Sequence, residues 1–392
     1  MNMVPFGSVC ELQNGRAFKP EEWSDSGVPI VRIQNLNDES KSFNYCDFEV
    51  ESRFHINTGD LLFSWSGTPG TSLGAFFWNR GRGFLNQHIF RVDIDYKRVD
   101  KNYLRYAINS KLDLIIDQAH GGVGLKHITK GRLEAVEIPL PPLEEQKRIA
   151  AILDKADAIR RKRQQAIKLA DDFLRSVFLE MFGDPVSNPK EWEVRPLKDG
   201  ITSIKSGWSA KGESQPCKSG QLGVLKISAV TSGIFKSSEN KYVPEDEIQT
   251  GKKLIFPKQG DLLFSRANTR ELVAATCIVP DDVDNIFLPD KLWLIEANKE
   301  KLLPEFLHCM IWHQKFKDTL TSQATGTSGS MLNISMGKFE LTSSIFPAIE
   351  QQKIFREIYW KVQHTLKLIG DSCGLNENIF SSLIQKAFSG NL

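Results

Sequence analysis

Two stretches of the chain carry apolar side chains at helical spacing. In the first, Ile152, Ala156, Ile159, Ala166, Ala170, Phe173 and Val177 follow in alternating steps of four and three, interrupted only by Arg163. That spacing keeps one face apolar over many turns and predicts a long helix with a coiled-coil seam. Pro139, Pro141 and Pro142 precede it, and Glu144 and Glu145 put negative charge in its first turn, where the helix dipole favours it. At an offset of 206 residues the same frame meets Ile358, Val362, Ile369, Ile379 and Leu383, with Thr365, Ser372 and Asn376 between them. Gly370 and Gly374 fall inside this second helix, and each costs roughly 1 kcal/mol against alanine, so a kink or fray is expected there. At about 1.5 Å per residue, ~40 residues span ~60 Å, and two such helices packed together make a spacer.

Elsewhere the pattern changes. Short runs rich in β-branched and aromatic residues, such as 28–33 and 89–92, alternate with Gly, Asn and Asp clusters and read as strands. Helical spacing is sparse, best at 103–116 and 304–320. The chain also repeats. Gly59-Asp60-Leu61-Leu62-Phe63-Ser64 returns unchanged as Gly260-Asp261-Leu262-Leu263-Phe264-Ser265, 201 residues later. Arg32-Ile33 matches Lys226-Ile227, Phe84-Leu85 matches Phe287-Leu288, Leu104 matches Leu307 and Ile128 matches Ile334, with offsets that rise from 194 to 206. Loop insertions produce such a drift. The offset then stays at 206 through Pro141/Pro347, Gln146/Gln352, Lys147/Lys353 and Phe182/Phe388, as helices demand. The layout is therefore α+β: two mixed domains, 1–138 and 185–346, alternate with two long helical regions, 139–184 and 347–392, in an internal pseudo-two-fold repeat.

Composition narrows the class. Hydrophobic residues make up 41% and charged residues 25% of the 392, as in ordinary folded domains. No run of 18 apolar residues is present, and Met1 to Pro5 lacks the features of a signal peptide, so a cytoplasmic protein without membrane association is expected. The cysteines (Cys10, Cys46, Cys217, Cys277, Cys309, Cys373) are scattered and read as reduced. The net charge is +2 and stays near zero in each of the four segments. A nucleic-acid surface must then come from local clusters of Lys and Arg, or from a partner.

No catalytic constellation emerges. Gly121-Gly122-Val123-Gly124-Leu125-Lys126 lacks the Gly-Lys-Ser/Thr of a phosphate loop, and its counterpart, 325–330, supports a plain loop. Pro141-Pro142 lies between leucines rather than in an Asn/Asp-Pro-Pro-aromatic motif. His308 and His313 stand five apart, off a common helical face, and Asp60 and Asp261 follow glycine ahead of an apolar strand, as turn residues do. Neither a metal site nor a cofactor site is expected in this chain.

The stretch Pro139-Leu140-Pro141-Pro142-Leu143-Glu144-Glu145-Gln146-Lys147-Arg148-Ile149 closely resembles the central conserved region of type I restriction-modification DNA-specificity subunits. The resemblance runs on through Leu153-Asp154-Lys155-Ala156-Asp157 to Met181-Phe182-Gly183-Asp184-Pro185. It returns in reduced form at Pro347-Ala348-Ile349-Glu350-Gln351-Gln352-Lys353, and 382–390 is similar to that family's ending. It implies two target-recognition domains, and two long helices that pack antiparallel, set the distance between those domains and dock two modification (methyltransferase) subunits. That docking role falls on 149–181 and 355–388, with Ile149, Ile152, Ile159, Phe173, Val177, Phe355, Ile358, Val362, Ile379 and Leu383 as the partner-binding candidates. It also implies that methylation and cleavage belong to partners using S-adenosylmethionine, ATP and magnesium, the latter including restriction (ATP-dependent translocase/nuclease) subunits.

Reading double-stranded DNA takes Arg or Lys for guanine and Asn or Gln for adenine, held on loops beside a scaffold. The DNA-binding candidates in the first domain are Arg16, Lys19, Gln34, Asn35, Trp65, Arg80, Arg82, Lys126 and His127. In the second they are Lys205, Trp208, Lys211, Arg266, Asn268, Arg270 and Asn333. Arg160-Arg161-Lys162-Arg163 on the helix suits a partner, backbone phosphates or solvent equally well. Two other classes stay open from the residues: a coiled-coil linker joining two binding domains, and a self-contained DNA-modifying enzyme with an unfamiliar site.

Overall fold

Strand-forming runs separated by glycine turns give each mixed region a central four-stranded antiparallel sheet. The computed structural model describes residues 2–38, 40–67, 72–119, 126–326 and 331–392, with side chains at all of these except 126 and 370–378. The loop 121–125 and most of its counterpart, 327–330, lie outside the described residues. In the first sheet the order is Cys10–Asn14, Ile89–Ile94, Leu61–Ser64, Gly74–Phe77. In the second it is Ile201–Ser206, Leu292–Ala297, Leu262–Ser265, Thr276–Ile278, the same topology. The repeated hexapeptide enters both sheets through one turn. Gly59 and Gly260 take φ of +97° and +84°, a region open to glycine. Asp60 Oδ2 accepts the Asn57 N–H at 2.8 Å, and Asp261 Oδ2 accepts that of Lys258 at 2.7 Å. Both carboxylates are turn caps.

A smaller sheet flanks each one. The first comprises Asn44–Cys46, Val28–Val31, Gly83–Leu85 and His55–Ile56; the second comprises Asn240–Tyr242, Gly223–Leu225 and Ile286–Phe287. Each contains one parallel pair. The strand expected over 28–33 ends at Val31, because Asn35 Oδ1 accepts the Arg32 N–H at 3.1 Å and caps a short helix, Ile33–Asn37. The expected helix at 103–116 is two helices, Lys101–Asn109 and Leu112–Gln118, divided where Lys111 leaves helical geometry. That at 304–320 is Pro304–Trp312 and Gln314–Ser322, divided at His313, whose ψ of 124° is extended.

The long helices are Leu143–Phe182 and Ile349–Ser389. The second runs through Gly370 and Gly374 without a fray. Their combined penalty of roughly 2 kcal/mol is carried by a helix fixed by packing at both ends. Contacts gather into two units, 1–165 with 370–392 and 166–369.

In the first unit Ile149, Ala150, Leu153 and Ala387 are buried in the core that holds Leu12, Phe63 and Leu104, and Phe380, Leu383, Ile384 and Phe388 pack against it. Arg148 donates to the Leu392 carbonyl at 2.8 Å, while the Arg160 guanidinium sits 5.5 Å above the Phe380 ring. One helix ascends as the other descends, so the pair is antiparallel. In the second unit the end of one helix meets the start of the other: Phe182 lies 5.4 Å from Phe355 and 4.8 Å from Phe306, centroid to centroid. Gly183, at φ +78°, closes the first long helix. The buried positions of the first long helix include Gln146, Ile149, Ala150, Leu153 and Asp157, then Leu174, Phe178 and Phe182. That stripe sits one residue beyond much of the apolar seam read from the sequence, because each helix packs on a mixed domain as well as on its partner helix.

Candidate nucleic-acid interface

Each unit builds a short two-stranded ribbon just after its repeated hexapeptide. In the first, Ser66–Gly67 pairs with Lys126–His127; in the second, Ala267–Asn268 pairs with Leu332–Asn333. The residue ahead of each ribbon is fixed by matching backbone hydrogen bonds. The Trp65 N–H donates to the His88 carbonyl at 3.3 Å, and the Trp65 carbonyl accepts the Ile128 N–H at 3.0 Å. The Arg266 N–H donates to the Lys291 carbonyl at 3.1 Å, and its carbonyl accepts the Ile334 N–H at 2.9 Å. Trp65, His88 and His127 thus occupy the same backbone frame as Arg266, Lys291 and Asn333, with unlike side chains.

A second pair of positions is matched as closely. The Arg16 N–H donates to the Leu85 carbonyl and the Trp208 N–H to the Leu288 carbonyl, both at 2.9 Å. The preceding Gly15 and Gly207 press on the facing strand so tightly that a Cβ on either would lie 2.1 or 2.0 Å from a carbonyl oxygen. Arg16 and Trp208 are therefore equivalent, again with different chemistry.

In the first unit Trp65 stacks on Phe90 at 5.9 Å, meets His88 edge-on at 5.1 Å and lies tilted to His127 at 6.0 Å. Trp65 Nε1 and His88 Nδ1 are buried with no hydrogen-bond partner among the described residues. Burial, then the nearby His127 and Arg32, hold the His88 imidazole below the usual histidine pKa. In the second unit Arg266 donates from Nε to the Asp290 carbonyl at 2.8 Å, lies 3.6 Å from the Asp290 carboxylate and donates to Asn333 Oδ1 at 3.5 Å. Asn268 Oδ1 accepts the Thr269 N–H at 2.9 Å, and Arg270 is exposed beside it.

The remaining candidates scatter. Arg16 pairs with Glu22 and lies over Phe18 and Phe48. Lys19 is exposed, its N–H capped by Glu22. Arg80 lies over Phe43 and Trp78 and donates to the Asn35 carbonyl, while Arg82 pairs with Glu49 at 2.6 Å. Lys205 pairs with Glu296, Trp208 stacks on Phe287 at 6.0 Å, and Lys211 pairs with Glu247 at 3.6 Å. Gln34 is exposed, and the Lys126 side chain is outside the described residues. Asn35 is corrected: it is 2% exposed and its amide binds the Lys41 and Ser42 carbonyls, so it shapes the loop rather than facing a ligand. Sequence reasoning missed His88 and Lys291 as members of this frame, whose one signal was the offset of 203 that already tied Phe84 to Phe287.

Of the partner-binding candidates, Ile149 and Phe355 are fully buried in the cores of this chain and are closed to another protein, a correction that follows from their packing. Ile159, Phe173 and Ile379 are 50%, 53% and 43% exposed. Ile152, Ile358 and Val362 are half-buried, as are Val177 and Leu383, which pack on the cores. Among the described residues no cluster suited to a metal ion occurs, Cys10, Cys46, Cys217, Cys277 and Cys309 are free, and no helix is long and apolar enough to cross a membrane.

The fold and its paired frames define a tandem of two mixed domains that share one scaffold and carry unlike side chains at equivalent positions. Residues 1–169 match the family described as type I restriction modification DNA specificity domain. The type I restriction enzyme MjaVIII specificity subunit of Methanocaldococcus jannaschii is 26% identical over 93% of this chain and 87% of its own. The EcoKI specificity subunit of Escherichia coli is 24% identical over 100% and 89%. The type I restriction-modification S subunit from M. genitalium superposes with a TM-score of 0.63 at 15% identity, over 99% of this chain and 96% of its own. The chain is thus similar to type I restriction-modification DNA-specificity subunits: their domain model matches its first 169 residues, and the specificity subunits align along nearly its whole length.

Proposed function

We propose that residues 1–138 and 185–346 are two target-recognition domains, each reading one half of an asymmetric, bipartite site in double-stranded DNA. The helices set the unread spacer and dock two modification (methyltransferase) subunits, and restriction subunits join for cleavage. S-adenosylmethionine, ATP and magnesium act in those partners, in the cytoplasm.

One observation carries this reading: the frame that holds Trp65, His88 and His127 is rebuilt around Arg266, Lys291 and Asn333. Identical frames place a ligand in the same way, and different side chains read different base edges. Half-site centres about one duplex turn apart, ~34–36 Å, are expected. Genome-wide methylation mapping in cells carrying the system tests it. Two unlike short half-sites around a fixed gap are expected; a palindromic or uninterrupted motif overturns it. The purified chain alone should neither methylate nor cleave DNA.

A further inference from the structure

We propose that Arg266 is the guanine-reading residue of the second unit, so that the half-site read by that unit contains a guanine recognised through its N7 and O6 edge. The inference rests on the reading of the chain as a bipartite DNA reader and adds a residue and a base to it.

Arginine reads guanine well when its fork is presented already oriented, with two N–H groups free to run parallel to the base plane. Arg266 meets that condition. Its backbone is fixed on both sides by the hydrogen bonds to Lys291 and Ile334. Its Nε–H is tied to the Asp290 carbonyl at 2.8 Å, which fixes the plane of the guanidinium. The Asn333 amide oxygen, 3.5 Å away, steadies one terminal nitrogen, and the Asp290 carboxylate at 3.6 Å neutralises the charge without forming a tight two-pronged pair. The guanidinium has five N–H donors, and these contacts leave donors for a ligand. The side chain retains 29% of its exposure, so the fork is neither buried nor loose.

Other cations of the unit are differently placed. Lys205 is neutralised by Glu296 beside the Ser203 hydroxyl. Lys211 is 85% exposed and pairs with Glu247 at 3.6 Å. A lysine ammonium lacks the planar fork that separates guanine from other bases. In the first unit the equivalent backbone position carries Trp65, an aromatic side chain whose Nε1 is buried. The two half-sites therefore differ in chemistry at this position of the frame.

The test uses the chain with its modification subunits and the DNA motif found by methylation mapping. With the wild-type chain, 7-deazaguanine replaces each guanine of both half-sites in turn, in a binding competition. One guanine, confined to one half-site, should weaken binding roughly tenfold when its N7 is removed, the order expected for one bidentate pair. Arg266→Ala should bind normal and 7-deaza DNA alike and relax the methylated motif at that base only, leaving the other half-site strict. Arg266→Lys, which keeps the charge without the fork, should relax the same base.

If no guanine is sensitive to loss of N7 in the wild-type complex, or if the sensitivity survives in Arg266→Ala, the assignment fails while a bipartite motif still stands. A wild-type motif that is not bipartite overturns the underlying reading instead. The wild-type measurement does not depend on any variant folding.

Discussion

The side chain of Gln352 accepts the Leu303 N–H at 2.9 Å, as the side chain of Gln146 accepts the N–H of Asp100 at 2.9 Å. Each amide also donates twice, Gln352 to the carbonyls of Lys301 and Pro347 and Gln146 to those of Arg98 and Pro141. Both glutamines are 0% exposed. A buried polar group is tolerated when its bonds are made, and here two of the three bonds join the first turn of a long helix to the loop ahead of a domain helix, while the third holds the proline carbonyl at the helix's own entry. The glutamine shared by the two helix-entry motifs is thus the clamp between helix and domain in both copies.

Replacing Gln352 by leucine leaves the Leu303 N–H and two carbonyls without partners in the core. An unsatisfied buried group costs about 1–3 kcal/mol, so a loss of about 3 kcal/mol is expected in the unfolding of the second unit. Urea denaturation followed by tryptophan fluorescence measures it. A variant within about 0.5 kcal/mol of wild type, the scatter of ordinary surface substitutions, contradicts the clamp.

Phe355 packs edge-on to Phe178 and Phe182, at 5.7 and 5.4 Å, and is fully buried. Phe355→Ala opens a cavity among rings that cannot easily collapse, and should cost about 3–5 kcal/mol. Phe173→Ala, at a side chain 53% exposed, should change stability little. Equal costs at the two sites, by the same denaturation measurement, contradict the assignment of the buried face.

How far the sequence carries is visible in those two phenylalanines. Both lie on helices whose existence and length follow from apolar spacing, and the repeat predicted two copies of one mixed domain. Spacing alone placed the seam on Ile159 and Phe173, since it does not show that each helix is shared between a partner helix and a domain. The same limit applied at Asn35, a polar loop residue by sequence whose amide is consumed by neighbouring carbonyls. Trp65 and Arg266 were legible one by one as polar or aromatic loop residues. Their equivalence was not, because it is made by backbone hydrogen bonds to His88 and Lys291 that leave no mark on side-chain identity.

His308 carries a pH dependence. The imidazole is fully buried, its Nδ1 2.9 Å from the Thr276 hydroxyl, and burial pushes its pKa down from 6.5 to about 4. Between those values the unfolded chain binds a proton that the folded chain refuses. The contribution is therefore complete above about 6.5 and is lost as pH falls toward 4. At about 1.36 kcal/mol per pH unit, the second unit should be about 2 kcal/mol less stable at pH 5 than at pH 7. In His308→Gln that pH-dependent part should disappear, so the gap between variant and wild type narrows on acidification. A gap that is constant between pH 7 and 5 contradicts a neutral, buried histidine.

The exposed helical side chains give the last prediction. Leu169 and Phe173 lie four residues apart on one face of the first long helix, and are 59% and 53% exposed. Neighbouring large apolar groups left in water mark a surface that another protein covers. If the modification subunits dock there, Phe173→Glu should leave the unfolding midpoint within about 0.5 kcal/mol of wild type, as an exposed substitution does. It should also lower the amount of modification subunit that co-purifies with the chain by roughly tenfold, the effect of placing one charge in an apolar interface at a cost of about 1.4 kcal/mol or more. Leu169→Glu should act in the same direction, and Lys168→Glu, one position round the helix, should act less. Undiminished co-purification with both apolar variants, at unchanged stability, would place the partner on another face of the helix.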